Sequence, residues 1–299
     1  MDLFAPRYYQ NFTCIADRCK HSCCVGWEID VDGDALELYQ NSSHPYAEII
    51  RESIDPCDTP HFCLGEGERC PHLNERGLCS IILSLGEDAL CDICREHPRF
   101  YHETSHGMEV GLGMACEEAC RLILTSDDYA DMIRIDELDG EAESLDFDAV
   151  KARETLYQIL ADPTLTYAEK RQHIANSHHV SLKSHTNEEW RELIGSLEYL
   201  DERHRVLFSQ FSLDAIAEPT LEATLARALA YFVFRHCSDA RDEEAFRRGL
   251  GFALFCEQLL ISLTQGTRQN DVLEFARVIS EELEYSEDNT DAIKRFFDV

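Results

Sequence analysis

The spacing of hydrophobic residues separates the chain into two parts. Beyond residue 145, apolar residues recur every three or four positions, which is the period of a helix that buries one face. This period predicts helices over residues 148–161, 166–179, 187–210, 220–236, 243–264 and 270–284. The pattern favours a mainly α fold whose C-terminal part is a helical bundle.

Residues 1–125 carry few long periodic segments and are rich in Cys, Gly and Pro. A bound metal can replace a large apolar core in holding such a segment together. We therefore expect an irregular, cysteine-rich, metal-centred domain over residues 1–125 and an α-helical domain over residues 126–299. The acidic stretch 124–146 is predicted to be a linker or an exposed loop.

The charge balance narrows the classes of partner. The 299 residues include 27 Lys and Arg against 58 Asp and Glu, a formal net charge of −31. Such a chain lacks the basic surface that neutralises nucleic-acid phosphates or docks on anionic lipid. We expect no nucleic-acid partner, and the balance suits a partner that is cationic.

Two features of the sequence bear on location. The longest apolar stretch, 249–263, is too short for a membrane span and contains Glu257. The first residues, MDLFAPRYYQ, show no basic start followed by an apolar run. We expect a cytoplasmic protein with no membrane insertion.

The fourteen cysteines are the strongest chemical signal, and twelve of them lie within residues 1–120. In a reducing compartment, clustered cysteines are more typical of metal or redox chemistry than of disulfides. Four thiolates that converge can hold tetrahedral zinc or a four-iron cluster, and spacing alone leaves both open. A buried, chemically silent role is predicted for five further cysteines: Cys57, Cys63, Cys120, Cys237 and Cys256.

Four motif blocks occur in order: C-x4-C-x3-C-C-x2-W, C-P-x-L-x3-G-L-C-x-I, L-G-E-x2-L-C-x2-C-R-x-x-P-R and C-x-E-A-x-R-L-I-L. Their order over residues 7–125 resembles the flagellin lysine-N-methylase family, part of a wider set of zinc- or iron-chelating proteins with a CxxCxxCC signature. The matching positions are Cys14, Cys19, Cys23, Cys24, Trp27, Cys70, Cys79, Cys91, Cys94, Arg95, Pro98, Arg99 and Cys116. His97 departs from the pattern, since an aromatic residue is common there.

The resemblance implies a [4Fe-4S] cluster, with zinc as the alternative, and methyl transfer from S-adenosylmethionine to lysine ε-amines of flagellin. The candidate metal ligands are nine cysteines: Cys14, Cys19, Cys23, Cys24, Cys70, Cys79, Cys91, Cys94 and Cys116.

A glycine pattern offers a candidate site for the methyl donor. The segment E-V-G-L-G-M-A (109–115) fits the acidic-x-G-x-G-x-small pattern of methyltransferases, so Gly111 and Gly113 are predicted cofactor contacts. The alternative is a packing role, because no alternating β/α series surrounds the segment. Candidates for a base near the cysteine motifs are Glu96, His97, Tyr101, His102 and His106, and each can equally be a structural residue.

Two functions from different classes follow. The first is an iron–sulfur protein lysine N-methyltransferase whose helical domain docks the substrate. The second is a non-enzymatic zinc- or iron–sulfur-binding interaction module. A thiol redox role for Cys91-x2-Cys94 is a third interpretation, although it lacks the βαβ context of that motif.

Overall fold

The computed structural model describes residues 1–142, 145–265 and 271–298. The α-helices are α1 (Gly33–Asn41), α2 (Pro45–Glu52), α3 (Ser80–Leu85), α4 (Asp92–Glu96), α5 (Glu117–Thr125), α6 (Ala149–Ala161), α7 (Tyr167–Ser177), α8 (Asn187–Ser196), α9 (Glu202–Phe208), α10 (Glu222–Cys237), α11 (Glu243–Leu263), α12 (Asp271–Ile279) and α13 (Glu287–Arg295). The strands are β1 (Asp2–Pro6), β2 (Ile54–Asp55), β3 (His61–Phe62), β4 (Arg99–Thr104), β5 (Gly107–Leu112) and β6 (Met132–Glu137). The mainly α fold class is confirmed.

The chain forms two compact units whose limits differ from the predicted division at residue 125. The helical unit comprises Met1–Phe12 and Phe100–Val299, and the cysteine unit comprises Thr13–Arg99. Residues 100–125 belong to the helical unit because the hairpin β4–β5 and helix α5 bury apolar side chains there, Leu112 and Ile123 among them. Cysteine density guided the predicted boundary, whereas apolar burial sets the observed one.

A four-stranded sheet of the helical unit corrects the expectation of a loop over 124–146. Its strand order is β4-β5-β1-β6, and β1 runs parallel to β5 and antiparallel to β6. Asp2 pairs with Glu137 and Pro6 with Met132, so the N-terminal strand provides the pairing partner for β6. The segment Met132–Glu137 is a strand because it pairs with β1, which is distant from it in the sequence. Residues 143–144 of the predicted loop lie outside the described residues.

The predicted helices are confirmed in part. The segment 187–210 is two helices, α8 and α9, because the carboxylate of Glu282 accepts hydrogen bonds from the backbone N–H groups of Leu200 and Asp201 between them. The segment 270–284 is α12 followed by a π-helical turn, Ser280–Glu284, and residue 270 lies outside the described part. Helix α13 was not predicted, because few of its residues are apolar.

Helix α11 lies at the centre of the helical unit, with sixteen of its residues buried. The fully buried Trp190 stacks on Phe255 of this helix at a ring separation of 4.8 Å, and its indole Nε1 donates to the Leu182 carbonyl at 2.9 Å. Large aromatic side chains that also satisfy their polar atom contribute strongly to such a core. Among the described helices, none is long and apolar enough to cross a membrane.

We predict that Gly249→Ala destabilises the helical unit by about 1–3 kcal/mol, because a Cβ at Gly249 would overlap the backbone carbonyl of His236 in α10. Chemical denaturation of the full chain measures the loss. The matched control is Gly195→Ala in α8, where no atom lies within 4 Å of an added Cβ. That variant gains up to about 1 kcal/mol from helix propensity. Equal effects at both positions would contradict the packing argument.

Candidate metal centre

Five cysteine side chains meet in the cysteine unit. Cys70 and Cys91 are 7% and 1% exposed and belong to its buried core. Cys24, Cys79 and Cys94 are partly buried and pack against the same core. We call these five residues the cysteine group: Cys24, Cys70, Cys79, Cys91 and Cys94.

Local backbone structure brings the group together from three motif blocks. The N–H of Cys70 donates to the carbonyl of Cys24 at 2.8 Å, which joins the first block to the second. Cys79 is the N-cap of α3 and Cys91 is the N-cap of α4. Cys94 follows within α4, and its N–H donates to the Cys91 carbonyl at 3.1 Å. One short turn therefore presents two thiols side by side.

Two thiol pairs share hydrogen bonds. The Cys94 thiol donates to the sulfur of Cys91, which lowers the pKa of Cys91 and raises the pKa of Cys94. In the other pair, the hydrogen bond with Cys23 lowers the pKa of Cys24 to about 7, against the opposing effect of burial. Each pair thus has one sulfur prepared to be a thiolate, the form in which cysteine binds metal.

The remaining two thiols are buried and receive backbone hydrogen bonds. Burial raises the pKa of Cys70 to about 11, while the N–H of His72 lowers it. Burial also raises the pKa of Cys79, and the N–H groups of Ile82 and Ile81 in α3 lower it. The charge of Cys24 further raises the pKa of both residues, because a like charge nearby disfavours ionisation.

The cysteine group fits a cationic metal centre. Its thiolates would repel one another, and a metal ion or cluster removes that repulsion while N–H groups hold the sulfurs. Tetrahedral zinc places its sulfurs about 3.8 Å apart. Among the described residues, one group of at least three candidate metal ligands has all its ligand atoms within 4.8 Å of one another. It contains no cysteine and consists of His204, Glu281 and Glu282. No three of the five thiols lie that close together in the described residues, so their arrangement does not decide between zinc and a four-iron cluster.

Polar side chains beneath the group were missed by the sequence analysis. The buried ring of His72 bonds Tyr46 Oη at 3.1 Å and Ser53 Oγ at 2.9 Å. The hydroxyl of Tyr39 donates to the Ala89 carbonyl at 2.6 Å, and Asp32 accepts from the N–H of Asp92 at 2.7 Å. These bonds fix the segments that carry the thiols. His72 stands in the C-P-x-L block beside Cys70, a signal that was present in the sequence.

The other four candidate ligands are not part of this buried group, although Cys23 shares a hydrogen bond with Cys24. Cys14 and Cys23 are exposed, and the thiol of the half-buried Cys19 donates to the His21 carbonyl at 3.2 Å. Cys116 belongs to the helical unit as the N-cap of α5. Their predicted role as ligands stays a prediction.

The five cysteines expected to be buried divide in two. Cys120, Cys237 and Cys256 are buried in the helical unit, as predicted. For Cys57 and Cys63 the prediction is wrong, since both are exposed: Cys57 lies in a polar loop, and at the end of β3 it is Phe62, the neighbour of Cys63, that is buried. All fourteen cysteines lie within the described residues, and none forms a disulfide there.

Packing accounts for both predicted cofactor glycines. A Cβ at Gly111 would overlap the ring of Phe100 and come within 2.6 Å of Phe234. At Gly113 it would overlap the Tyr285 hydroxyl and come within 2.8 Å of Arg235 Nη1. Close approach by neighbouring side chains therefore requires glycine at both positions, and contact with a cofactor stays a prediction.

The candidate bases are not brought together in one unit. Glu96 and His97 belong to the cysteine unit, whereas Tyr101, His102 and His106 belong to the helical unit. His106 is exposed and bonds Asp148 at 3.1 Å, and Tyr101 is also exposed. His102 is buried against Phe100 and Phe234, and its Nε2 makes no hydrogen bond. None of the five can be assigned as the base from this placement.

Comparison with known proteins confirms the resemblance. The chain is 28% identical over 130 residues to the Flagellar biosynthetic protein FliU of Salmonella muenchen, a match over 41% of this chain and 77% of that protein. It is 28% identical over 133 residues to the Lysine-N-methylase of Salmonella choleraesuis strain SC-B67, and equally to that of Salmonella typhimurium strain LT2. Each of these two matches covers 41% of this chain and 32% of the relative, so the chain spans about a third of their length. No family model and no solved structure matches the chain.

We predict that Ser at four of the five positions of the cysteine group, Cys91 among them, lowers bound metal at least tenfold, because either centre takes four thiolates and a hydroxyl is a poor ligand for soft metals. Iron, sulfide and zinc analysis of anaerobically purified protein measures the loss. The matched controls are Cys57→Ser and Cys63→Ser in the same unit, whose thiols are exposed and outside the group. Metal loss in the controls, or full loading without Cys91, would contradict the assignment.

A second prediction concerns acid sensitivity of the helical unit. Burial lowers the pKa of His102 from 6.5 to about 4. Between pH 6.5 and 4, the unfolded chain therefore binds a proton on His102 that the folded chain does not. The free energy of unfolding consequently decreases as the pH is lowered over that range. Relative to His102→Phe, the wild type loses about 2 kcal/mol of unfolding free energy between pH 7 and pH 5. Urea unfolding at both pH values tests this, and a pH-independent difference would refute it.

Proposed function

We propose that this chain is an iron–sulfur-containing protein lysine N-methyltransferase that moves a methyl group from S-adenosylmethionine to lysine ε-amines of flagellin or a similar protein. The observation that carries the proposal is the convergence of five thiols, Cys24, Cys70, Cys79, Cys91 and Cys94, from three blocks of the motif series. Two of the relatives are named Lysine-N-methylase and a third is a flagellar biosynthetic protein, which supports a methyltransferase-like role.

The reaction places definite demands on the protein. The lone pair of a neutral lysine nitrogen attacks the sulfonium methyl, the methyl–sulfur bond breaks, and its electron pair stays on the sulfur of S-adenosylhomocysteine. The proton lost by the amine passes to a base or to water. Because lysine has an ordinary pKa near 10.4, the site must desolvate the ammonium or supply a base. Nitrogen, methyl and sulfur must also lie in line, with nitrogen about 3–3.5 Å from the methyl carbon.

The cysteine unit would supply the metal part of the site. The cysteine group would hold the cluster, and the backbone N–H groups of His72, Ile81 and Ile82 would stabilise its sulfurs. A bound [4Fe-4S] cluster supplies either electron transfer or an iron that can bind the methionine end of the donor. Tyr39 and His72 fix the surrounding backbone through their buried hydrogen bonds. The acidic excess of the chain favours approach of a lysine ammonium.

We expect anaerobically purified protein to contain about four iron and four sulfide per chain and to transfer labelled methyl from S-adenosylmethionine to purified flagellin. The double variant Cys91→Ser/Cys94→Ser should lose cluster and transfer together, at least a hundredfold in rate. Cys57→Ser/Cys63→Ser is the control that keeps the same number of substitutions outside the cysteine group.

The outcomes separate the two classes of function. Stoichiometric zinc without iron after reconstitution, together with no saturable S-adenosylmethionine binding, would favour the non-enzymatic interaction module. An intact cluster that transfers no methyl to the cognate flagellin would refute the proposed activity. Transfer that persists in the double variant would show that the cysteine group is not needed for it.

A further inference from the structure

Exposed apolar side chains are concentrated on the cysteine unit. Among the described residues, ten large apolar side chains are exposed, and six of them lie in this unit of 87 residues: Val25, Leu38, Ile49, Ile82, Leu83 and Ile93. The larger helical unit has the other four, Tyr101, Leu200, Val206 and Ile216. Single exposed apolar residues are normal on a protein surface, whereas a local concentration marks an interaction site.

Four of the six flank the cysteine group. Val25 follows Cys24, Ile82 and Leu83 lie on α3 behind its N-cap Cys79, and Ile93 stands between Cys91 and Cys94 on α4. Since the side chains of these cysteines pack against one core, we treat the four exposed residues beside them in the sequence as one candidate surface. We call them the apolar rim: Val25, Ile82, Leu83 and Ile93.

Packing within the unit does not account for the rim. Helix α3 has the sequence S-I-I-L-S-L, and Ile81 is its buried residue, at 3% exposure. Leu83, two residues later, is 63% exposed. On α4, Ile93 is 51% exposed, and the nearby Asp92 and Arg95 are polar. Burial within the unit therefore does not explain the apolar side chains at these positions, whereas contact with a partner would.

Charge identifies the chemistry of that partner. The cysteine unit carries 17 Asp and Glu against 7 Lys and Arg. Exposed Glu87 and Asp88 follow α3 directly. A surface that combines apolar side chains with an excess of carboxylates is complementary to a segment that carries lysines beside apolar residues.

We propose that the apolar rim is the docking surface for a lysine-bearing, partly apolar segment of the protein substrate. The inference rests on the proposed function for the identity of the partner, and it moves substrate docking from the helical unit to the surface beside the cysteine group. Docking there would bring the substrate lysine next to the metal centre.

The test compares two pairs of exposed positions in the full, cluster-loaded chain. Leu83→Ser/Ile93→Ser removes apolar area from the rim. Val206→Ser/Ile216→Ser removes it from the helical unit, at side chains that are 70% and 76% exposed. The probe is purified monomeric flagellin, and its succinylated form, in which lysine ammoniums become carboxylates, tests the role of charge. Fluorescence anisotropy gives the dissociation constants, and iron analysis confirms equal loading.

We expect the rim variant to bind flagellin at least tenfold more weakly, about 1.4 kcal/mol, and the control variant to bind like the wild type. Succinylated flagellin should bind the wild type at least tenfold more weakly than the native protein. If the rim variant loses iron, Glu87→Lys/Asp88→Lys tests the same surface without altering α3 or α4, again with tenfold weaker binding expected.

Unchanged binding by iron-loaded rim variants, or no binding of flagellin to the wild type, would overturn the inference. It would also be overturned if light scattering showed a wild-type dimer that the rim substitutions convert to monomer, since the rim would then join two copies of this chain. Failure of the proposed function has a different signature: flagellin binds through the rim, but no methyl is transferred. Conversely, methyl transfer with an unchanged KM in the rim variant refutes the docking site alone.

Discussion

The cysteine unit depends on one electrostatic constraint, the burial of several thiols at one place in a small core. The core of this unit contains eleven buried residues, and Cys70 and Cys91 are two of them. Ionised together, the thiols repel, as the effect of Cys24 on the pKa values of Cys70 and Cys79 shows. Left protonated, they provide little apolar area. A bound cation would resolve both problems, and with the proposed metal centre, metal binding and folding of this unit would be coupled.

The helical unit meets no such constraint. Its core is built from large apolar side chains around α11, with Trp190 and Phe255 in stacked contact. Where charge is buried there, it is paired: Arg153 donates to both carboxylate oxygens of Glu109, at 2.6 and 2.7 Å. The five cysteines of the group can therefore be substituted one at a time, and the effect of each substitution can be measured as bound metal. The helical core does not contribute to that measurement.

Sequence patterns predicted what depends on local periodicity and spacing. The helices α6, α7, α10 and α11 follow the three- and four-residue period. Strand β6 was missed because it depends on pairing with the distant β1. The split between α8 and α9 was missed because its cause is Glu282, more than eighty residues further along the chain.

The candidate site was predictable to the same extent. Spacing identified the cysteine blocks but not which thiols share a core, because that depends on backbone contacts such as the one between Cys70 and Cys24. The adjacent Cys23 and Cys24 illustrate the point, since one is exposed and the other packs inward. Gly111 and Gly113 matched the methyltransferase glycine pattern, but packing gives a different physical reason for glycine there. At both positions, neighbouring side chains occupy the space that a Cβ would need.

In the proposed lysine methylation, the net charge of −31 would have opposite effects on two steps. Carboxylates on the surface attract an ammonium, but the same negative potential raises its pKa and disfavours the neutral amine that must react. Desolvation acts in the other direction, because an apolar environment lowers the pKa of lysine. The proposed methyltransferase would therefore need apolar surface close to the reacting amine, in addition to carboxylates further out. On that proposal, the exposed side chains of Val25, Ile82, Leu83 and Ile93 would supply such surface as well as a docking site.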